Sequence, residues 1–449
     1  MTTKHGLSKT LRTFDTFALS FGAMIGWSWV ALMATIIGRG GSAGGMVATI
    51  VVGAVILVIG LIYGELAAAM PDVGGEHVYS LRALGRVGAF VCTWSIVFVY
   101  VAVSAFEAVA LPTVTRHLFP DLGVMPLWSI SGATVFMDLA MIGAVVSLLL
   151  TIMNIRGIKL AAVVQSVVVV IILLSGLVLF TGMGLKGEAA NMVPFESNGI
   201  TGILAAMAIV PFIMTGFDVI PQAAEEINLP PKKIAMLIVG SIIGAVAWYI
   251  LIEFSITMLL TAEGRAGADL ATISAAQAAW GRPGAVVLLI GGVAGILTSW
   301  NSFMVGGSRA IFAMAQDGML PKMFAKVHSR YHTPVNAIIL VGLAGILAPF
   351  LGRQSLVWFV DAGSFSLMIA YFMVCWSFIV LRKREPDMER PFKLKYGLLL
   401  GWIGGISSVL MASLYMPGMP AALIWPQEWL MVLVWFVGGA YMYWSLNRV

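Results

Sequence analysis

Charged residues are scarce in this sequence. Asp, Glu, Lys and Arg make up 10% of its 449 residues and hydrophobic residues make up 60%, with a mean hydropathy of +0.97. A soluble globular protein carries roughly 25% charged residues. The net charge is only +5 and the basic residues are scattered, so nothing favours a nucleic-acid partner. The composition instead predicts a chain embedded in a lipid bilayer.

Cysteine is also nearly absent. Cys92 and Cys375 are the only two, and both lie within apolar runs, which excludes a disulfide framework and a C-x-x-C metal site. The sequence contains no H-E-x-x-H and no G-x-x-x-x-G-K-[ST] motif, so it shows no sign of metallopeptidase or ATP-hydrolysing chemistry. We therefore expect no enzyme activity, no metal and no cofactor. No small-residue cleavage site follows a short apolar core near residue 1, so we expect no removable signal peptide.

Long apolar runs are what the sequence has in abundance. A spanning helix needs about 20 apolar residues, and runs of that order recur along the whole chain. They predict an all-α polytopic membrane protein with twelve transmembrane segments, numbered here in chain order, near 14–38, 46–70, 84–112, 128–152, 157–182, 200–223, 233–262, 284–317, 335–351, 354–381, 397–416 and 426–447.

The basic residues predict the orientation. With twelve spans both termini share one side, and that side receives twenty of the 26 Lys and Arg residues, including those of a basic loop at 382–396. The six on the opposite side are Arg39, Arg116, Lys186, Arg265, Arg282 and Arg353. Because positive charge resists translocation, we expect a protein of the cell (inner) membrane with cytoplasmic termini. Residues 1–13 then form a cytoplasmic tail.

Two of the predicted segments contain residues that interrupt helices. Segment 1 has Gly22 and Gly26 about one turn apart, and segment 6 has Pro211, Gly216 and Pro221 in mid-span. In a bilayer, a broken backbone survives only where protein or water satisfies the freed peptide groups. Glycines also permit close helix packing. Matching interruptions five helices apart nevertheless favour two discontinuous helices, each at the start of one inverted repeat.

Such a break predicts a binding site for a small charged solute. The helix that resumes after the break presents unpaired N–H groups and a partial positive charge, which suit a carboxylate. The helix that ends before the break presents free carbonyls, which suit an ammonium group or a sodium ion. A pair of broken helices therefore predicts a site for a zwitterion near the middle of the membrane.

Four ordered motifs give the chain a family resemblance. They are YGELAAAMPDVGGEHVYSLRALG (63–85), NIRGIK (154–159), GFDVIPQAAEEINLPPKKI (216–234) and SRAIFAMAQDGMLPKMFAKVHSRYHTPVNAI (308–338). In sequence and in placement they resemble the amino acid–polyamine–organocation permeases, of the bacterial amino acid permease type. The resemblance implies a five-plus-five inverted repeat, with helices 1–5 in 14–182, helices 6–10 in 183–381 and two C-terminal helices in 397–449. It also implies secondary active transport of amino acids by alternating access.

The same resemblance assigns residues to the substrate site. The backbone that would receive the substrate carboxylate comprises Ala23, Met24, Ile25, Gly26, Trp27 and Ser28. The stretch that would offer carbonyls to the amine comprises Phe212, Ile213, Thr215 and Gly216. Phe212 would also close over the site as a gate, and Phe303 would be a second aromatic gate.

One departure from the family pattern concerns the substrate. Many members carry small residues directly after the glycine that matches Gly26, whereas here Trp27 and Trp29 flank Ser28. An indole there could narrow the pocket, stack on the substrate or face a neighbouring helix. An α-amino acid remains the favoured substrate, and an amine without a carboxylate, such as ethanolamine, is the alternative.

Ionisable residues within the spans are candidates for ion coupling. By the resemblance, Lys159 lies where sodium-coupled transporters bind sodium and would carry the coupled proton; otherwise it snorkels to the interface. Glu107 could bind the substrate amine, carry a proton or bond a backbone carbonyl as a neutral carboxyl. Asp218 could cap the resumed helix or act in gating. We expect proton-coupled symport, with an amino acid or amine exchanger as the alternative.

Acidic residues at the predicted cytoplasmic helix ends suggest a closing device. Glu65, Glu225 and Glu226 lie within the family-like motifs, and they could pair with Arg309 or with the lysines at 232–233 when the cytoplasmic pathway is closed. They could equally be solvated surface charges.

Overall fold

The computed structural model describes residues 6–119 and 121–446. Lys4 and Arg448, which were counted for the orientation, lie outside the described residues. The helices are α1 Thr13–Met24, α2 Ser28–Ala31, α3 Met33–Ala69, α4 Glu76–Leu118, α5 Met137–Ile155, α6 Ile158–Lys186, α7 Gly199–Met207, α8 Val210–Met214, α9 Val219–Gln222, α10 Pro231–Leu259, α11 Ala262–Ala266, α12 Ala271–Trp280, α13 Arg282–Gln316, α14 Val335–Leu347, α15 Ser355–Arg384, α16 Gly397–Ser413 and α17 Gln427–Leu446. One antiparallel hairpin joins β1 Pro126–Ile130 to β2 Ala133–Phe136.

The chain is a multi-pass helical membrane protein, as the composition predicts. Within the described ranges, nine helical stretches are long and apolar enough to cross a bilayer, and two shorter apolar helices lie at Val335–Leu351 and Gly397–Ser413. Predicted segment 1 is not among them, because it is divided into α1 of 12 residues and α2 of 4 residues. The number of twelve spans stays a prediction.

Glycines with positive φ set several helix boundaries. Gly41 has φ +81° and divides α3, so that its first part continues segment 1 and its second part is segment 2. A Cβ at Gly41 would lie 2.4 Å from the backbone of Glu196, which only glycine permits. Gly85, with φ +74°, divides α4 in the same way into a short helix and the third span.

Two predicted boundaries are wrong. Segment 4 was expected to begin at residue 128, but the hairpin occupies 126–136 and α5 begins at Met137. The hairpin is rich in apolar residues, so a search for apolar runs extends into it. Helix α15 continues to Arg384, three residues into the predicted basic loop, because Arg and Lys are good helix formers.

One tryptophan of α10 packs across both halves of the broken first span. The Trp248 ring makes edge contacts with Phe21 of α1 at 6.2 Å and with Trp29 of α2 at 5.6 Å between ring centroids. Gly176 of α6 makes room for this indole, since a Cβ there would lie 2.2 Å from a Trp248 ring carbon. The α6–α10 contact therefore fixes α1 and α2 relative to each other.

Replacing Gly176 with leucine should destabilise the protein, because the added side chain displaces the indole of Trp248. Overpacking of this kind costs about 1–3 kcal/mol. The matched control is Gly184→Leu in the same helix, where a Cβ would meet nothing within 4 Å. Thermal unfolding in detergent should show a lower midpoint for Gly176→Leu only. Equal midpoints for the two variants would contradict the packing role of Gly176.

Candidate functional site

The first break lies between α1 and α2 and contains residues of the predicted carboxylate site. Helix α1 ends at Met24, and α2 begins at Ser28. The Trp27 backbone N–H donates to Glu107 Oε1 of α4 at 3.2 Å. A Cβ at Gly26 would lie 2.2 Å from the same oxygen, so a side chain at Gly26 would expel the carboxylate. Glu107 therefore already occupies the anion position of this break.

The carbonyls of α1 before the break also have protein partners. Side chains from three neighbouring helices donate to four of them: Gln165 Nε2 to Ala18 O at 3.1 Å, Ser302 Oγ to Leu19 O at 2.8 Å, Thr298 Oγ1 to Gly22 O at 3.0 Å, and Tyr249 OH to Met24 O at 2.6 Å. Peptide groups freed by a break must be satisfied inside a bilayer. Gly22 and Met24 lie in the last turn of α1, where carbonyls lack an intrahelical partner, and Thr298 of α13 and Tyr249 of α10 satisfy them. The bonds to Ala18 and Leu19 attach the preceding turn of α1 to α6 and α13.

The second break lies directly against the first. Helix α8 ends at Met214, α9 begins at Val219, and Gly216 between them has φ +130°. A Cβ at Gly216 would lie 2.5 Å from the Cβ of Ala23 and 2.9 Å from the backbone nitrogen of Met24. The predicted residues of both breaks are thus brought together, and all of them are buried.

Asp218 is bound by hydroxyl groups from three elements. Tyr100 OH of α4 donates to Oδ1 at 3.0 Å, Tyr371 OH of α15 donates to Oδ2 at 2.9 Å, and Thr215 Oγ1 donates to Oδ2 at 3.4 Å. The side chain makes no capping hydrogen bond to α9, so the capping prediction is wrong. Asp218 instead joins the second break to α4 and α15.

The two predicted aromatic gates are both buried. Phe212 packs edge-on against Phe106 of α4, with 5.2 Å between ring centroids, and a Cβ at Gly363 of α15 would lie 3.3 Å from its ring. Phe303 lies on α13 with its ring centroid 5.5 Å from that of Tyr100. Each ring thus contacts α4, and Phe303 adjoins the tyrosine that binds Asp218.

The two tryptophans beside Ser28 have different environments. Trp29 packs on Trp248, as described above. The Trp27 ring lies against α13, where a Cβ at Gly292 would be 2.4 Å from it, and it also lines a cavity. Of the interpretations left open for these indoles, Trp29 therefore faces neighbouring helices, whereas Trp27 both packs on α13 and narrows the approach to the break.

A cavity of about 360 Å³ leads to the first break. Trp27, Phe106 and Ile209 form its apolar part, and its charged lining residues are Arg39, Asp269, Arg353 and Asp361. A wider cavity of about 820 Å³ shares Thr113, Asp269 and Arg353 with it and continues towards the hairpin. The approach is therefore open at the end of the bundle that carries Arg39 and Arg353.

Ion pairs close the opposite end of the bundle. Arg309 donates to both carboxylate oxygens of Glu226, from Nε at 2.8 Å and from Nη2 at 3.1 Å, and both residues are buried. The N–H groups of Thr10 and Leu11 donate to the Glu226 carbonyl at 3.0 and 2.9 Å. The predicted Glu226–Arg309 pair is confirmed.

Glu65 has other basic partners than those predicted. Its Oε2 pairs with Arg382 Nη2, and its Oε1 lies 3.0 Å from Arg390 Nε. These contacts attach the basic loop to the end of α3. Glu225 is oriented towards the N–H of Val73, which lies 3.5 Å from its Oε1.

Lys159 is not buried, in agreement with the snorkelling alternative, and its part in proton coupling stays a prediction. Lys159 is the second residue of α6 and is exposed. The residue of α6 that faces α1 and α13 is Gln165, whose Oε1 accepts from Asn301 Nδ2 at 2.9 Å and whose Nε2 donates to Ser302 Oγ at 2.8 Å. A single amide within the apolar run VVQSVVVV (163–170) is the signal that could have identified it. A neutral amide, rather than an ammonium group, therefore lies where α6 meets α1 and α13.

Among the described residues, no group of three or more His, Cys, Asp or Glu side chains could hold a metal ion. The site is made of backbone, hydroxyl, amide and carboxyl groups. That composition suits recognition of a small polar solute.

Comparison with known proteins agrees with the motifs and the fold. A family model described as amino acid permease matches residues 11–441. The methylthioribose transporter of Bacillus subtilis is 27% identical, over 98% of this chain and 94% of its own length. The branched-chain amino acid permease BcaP of the same organism is 28% identical, over 87% and 84%. The aspartate-proton symporter of Bacillus subtilis is 24% identical, over 89% of this chain and 78% of its own length. Permeases and transporters, rather than enzymes, are thus what the chain resembles, and it belongs to the amino acid permease family of the amino acid–polyamine–organocation transporters.

Proposed function

We propose that the protein is a secondary active transporter of amino acids that works by alternating access around the two touching breaks. The observation that supports this most is the contact of Gly216 with Ala23 and Met24, beside Trp27, which lines a cavity of about 360 Å³. In transporters of this architecture, one bundle rocks against the other around a fixed midplane site. The open end is extracellular if both termini are cytoplasmic, as the basic residues predict.

The lining of the cavity supports a zwitterionic substrate. Arg39 and Asp361 face the same space as the apolar side chains of Trp27 and Phe106. A carboxylate and an ammonium group would each find an opposite charge on entry, and an apolar side chain would find the rings. At the break, the substrate carboxylate would take the Trp27 N–H.

Proton coupling follows if Glu107 and the substrate compete for that N–H. Two carboxylates in one buried position repel each other, so one of them must be neutral. Protonation of Glu107 would release the Trp27 N–H to the substrate carboxylate, and one proton would then move with each amino acid. The relative named as an aspartate-proton symporter is consistent with this scheme. Exchange without a coupled ion is the alternative mechanism.

A second candidate substrate is an amine without a carboxylate, as in an ethanolamine-type importer. The observation that favours it is that Glu107 already fills the anion position of the first break. An ionised Glu107 would then be the counter-ion of the substrate ammonium group. The relative named as a methylthioribose transporter shows that substrates within the family extend beyond amino acids.

The first prediction for this site concerns Gly26. Replacing Gly26 with valine should weaken substrate binding more than about 100-fold, a loss of about 2.7 kcal/mol, because the side chain fills the break and displaces Glu107. Binding is measured by scintillation proximity with radiolabelled amino acids on purified protein. The control is Gly38→Val, since a Cβ at Gly38 meets nothing within 4 Å. Wild-type affinity for Gly26→Val would remove the case for this site.

The second prediction uses the pH dependence of binding. If an amino acid must displace an ionised Glu107, its affinity should rise about tenfold as the pH falls from about 8 to 6, since proton uptake accompanies binding. Glu107→Gln should make the affinity nearly independent of pH and abolish uptake driven by a pH gradient, while counterflow exchange persists. For an amine substrate the sign reverses, because the ionised carboxylate is then the binding form.

The matched control for Glu107 is Glu253→Gln. Glu253 is a buried carboxyl of α10 that accepts from Thr49 Oγ1 at 2.5 Å, away from the breaks. The Glu253→Gln variant should retain the wild-type pH dependence of substrate binding. An unchanged pH dependence in Glu107→Gln would exclude Glu107 as the coupling group, and uptake that responds to trans substrate but to no pH gradient would establish exchange.

A further inference from the structure

The closed end of the bundle, where Arg309 pairs with Glu226, contains a buried carboxyl group to which the proposed function assigns no role. Glu76 follows Gly75 at the start of α4, in the segment that connects α3 to α4. That segment docks on α9: the Gly74 N–H donates to Gln222 O at 3.1 Å, and a Cβ at Gly75 would lie 2.9 Å from Pro221. Glu76 therefore lies at a contact between the start of α4 and the second break.

The contacts of Glu76 are those of a carboxyl group without a base. The side chain is fully buried, and its Oε2 accepts a hydrogen bond from Gln222 Nε2. Its Oε1 has no hydrogen-bond partner, and neither has Gln222 Oε1, within the part of the chain that the structure describes. The donors beside this carboxyl group are neutral, namely the amide of Gln222, the hydroxyl of Tyr63 and the Glu76 backbone N–H, and the described residues supply no base to it.

The surroundings of Glu76 carry further acidic groups. The titratable side chains that interact with it electrostatically come from α3, α4, α15 and the second break, and they are Tyr63, Tyr79, Cys92, Tyr100, Asp218 and Tyr371. None of these is basic. The neighbouring bases have their own acids: His77 Nε2 lies 2.9 Å from Asp317 Oδ2, and Arg309 binds Glu226.

The hydrogen-bond donors around Glu76 and Asp218 determine which of these two carboxyl groups is neutral. Asp218 receives three hydroxyl hydrogen bonds, whereas Glu76 receives one from the amide of Gln222 and has the hydroxyl of Tyr63 and its own backbone N–H beside it. Hydrogen bonds to the ionised form favour ionisation, and a buried like charge opposes it. An unpaired buried charge costs several kcal/mol, so Glu76 is the group that takes the proton. A proton, unlike a larger ion, can bind to a fully buried side chain that is in direct contact with its neighbours, because it needs no cavity.

We propose that Glu76 is a proton-binding site of the inner gate, which holds a proton while residues 72–76 pack on 221–226 and releases it to the inner solution when they separate. The proposal rests on the alternating access proposed above. The O–H bond of the neutral carboxyl breaks, the carboxylate remains in a hydrated cleft, and the proton passes to water.

The sign of the pH effect follows from proton linkage. The closed gate binds one more proton at Glu76 than the open gate, so acidity on the inner side favours closure. With the outer pH fixed, uptake should therefore slow as the inner pH falls. The dependence concerns the inner solution, whereas the competition at Glu107 in the outward-facing state responds to the outer solution.

The test uses proteoliposomes of the full chain, loaded at inner pH values between about 6 and 8, with the outer pH held constant and radiolabelled amino acid outside. Wild-type uptake should fall about fivefold or more from the highest to the lowest inner pH. In Glu76→Gln the fall should be at least about twofold smaller than in the wild type, because the amide is neutral in both states and only the pH gradient coupled through Glu107 still varies. Glu253→Gln, a buried carboxyl outside the gate, should behave as the wild type.

A second variant covers the case in which Glu76→Gln does not fold. Gln222→Met removes the amide that donates to the Glu76 carboxylate, so the proton should be held more tightly and the midpoint of the inner-pH dependence should move to higher pH. Wild-type behaviour of Glu76→Gln, an unmoved midpoint in Gln222→Met, or uptake by the wild type that ignores the inner pH would each overturn the proposal.

A readout without transport separates this proposal from the proposed function. Infrared difference spectra of the purified wild type should contain the carbonyl stretch of a protonated carboxyl that is lost in Glu76→Gln. If no variant transports amino acids and that band is present, the transport function fails and the proton site stands. If uptake is robust and the band is the same in both proteins, the proton site fails alone.

Discussion

The contact between the two helix breaks is the constraint on which the rest of the structure depends. Gly216 lies so close to Ala23 and Met24 that a Cβ could not be placed between them. Two chains of peptide groups meet there without the side chains that normally separate helices. Moving either break therefore moves the other, and any solute bound at one would be sensed by both.

That contact requires all the surrounding helices to supply polar groups. Each freed peptide group in a bilayer must find a partner, and here the partners are side chains of α4, α6, α10 and α13. They are nearly all neutral: hydroxyl groups of Ser302, Thr298 and Tyr249 and the amide of Gln165. Neutral donors satisfy carbonyls without placing a charge in the membrane interior, where a charge is expensive. The single carboxylate among them, that of Glu107, serves an N–H.

The general architecture was predictable because it depends on quantities that a sequence carries directly. Apolar run lengths gave the helices, and Gly26 and Gly216 marked breaks because no other residue tolerates their surroundings. The Glu226–Arg309 pair was predictable because both residues lie within recognisable motifs and carry opposite charges. These features need only composition, spacing and residue type.

Features that depend on helix rotation were not predictable. Helix α6 is apolar on nearly every face, so its pattern does not reveal which residues point inward. Lys159 was assigned to the core by the family resemblance, and this pattern could not show that Gln165, six residues later, is a residue that reaches α1. The hairpin before α5 was missed for a related reason, since its apolar residues resemble the start of a span. Tyr100 and Tyr371 were missed because a tyrosine in a span gives no sign of its partner.

The partners of the buried carboxyl groups explain how one fold can keep some charges fixed and let others change. Glu226 is held by the guanidinium of Arg309, and separating the pair would expose two charges to water. Glu107 and Glu76 have neutral donors instead: the Trp27 N–H and the Ser299 hydroxyl beside Glu107, and the Gln222 amide and the Tyr63 hydroxyl beside Glu76. Neutral donors stabilise a carboxylate less than a base does. Their charge can therefore follow the conformation. A transporter that couples protons to movement needs both kinds: paired charges that define the closed state and unpaired carboxyl groups whose protonation differs between the states.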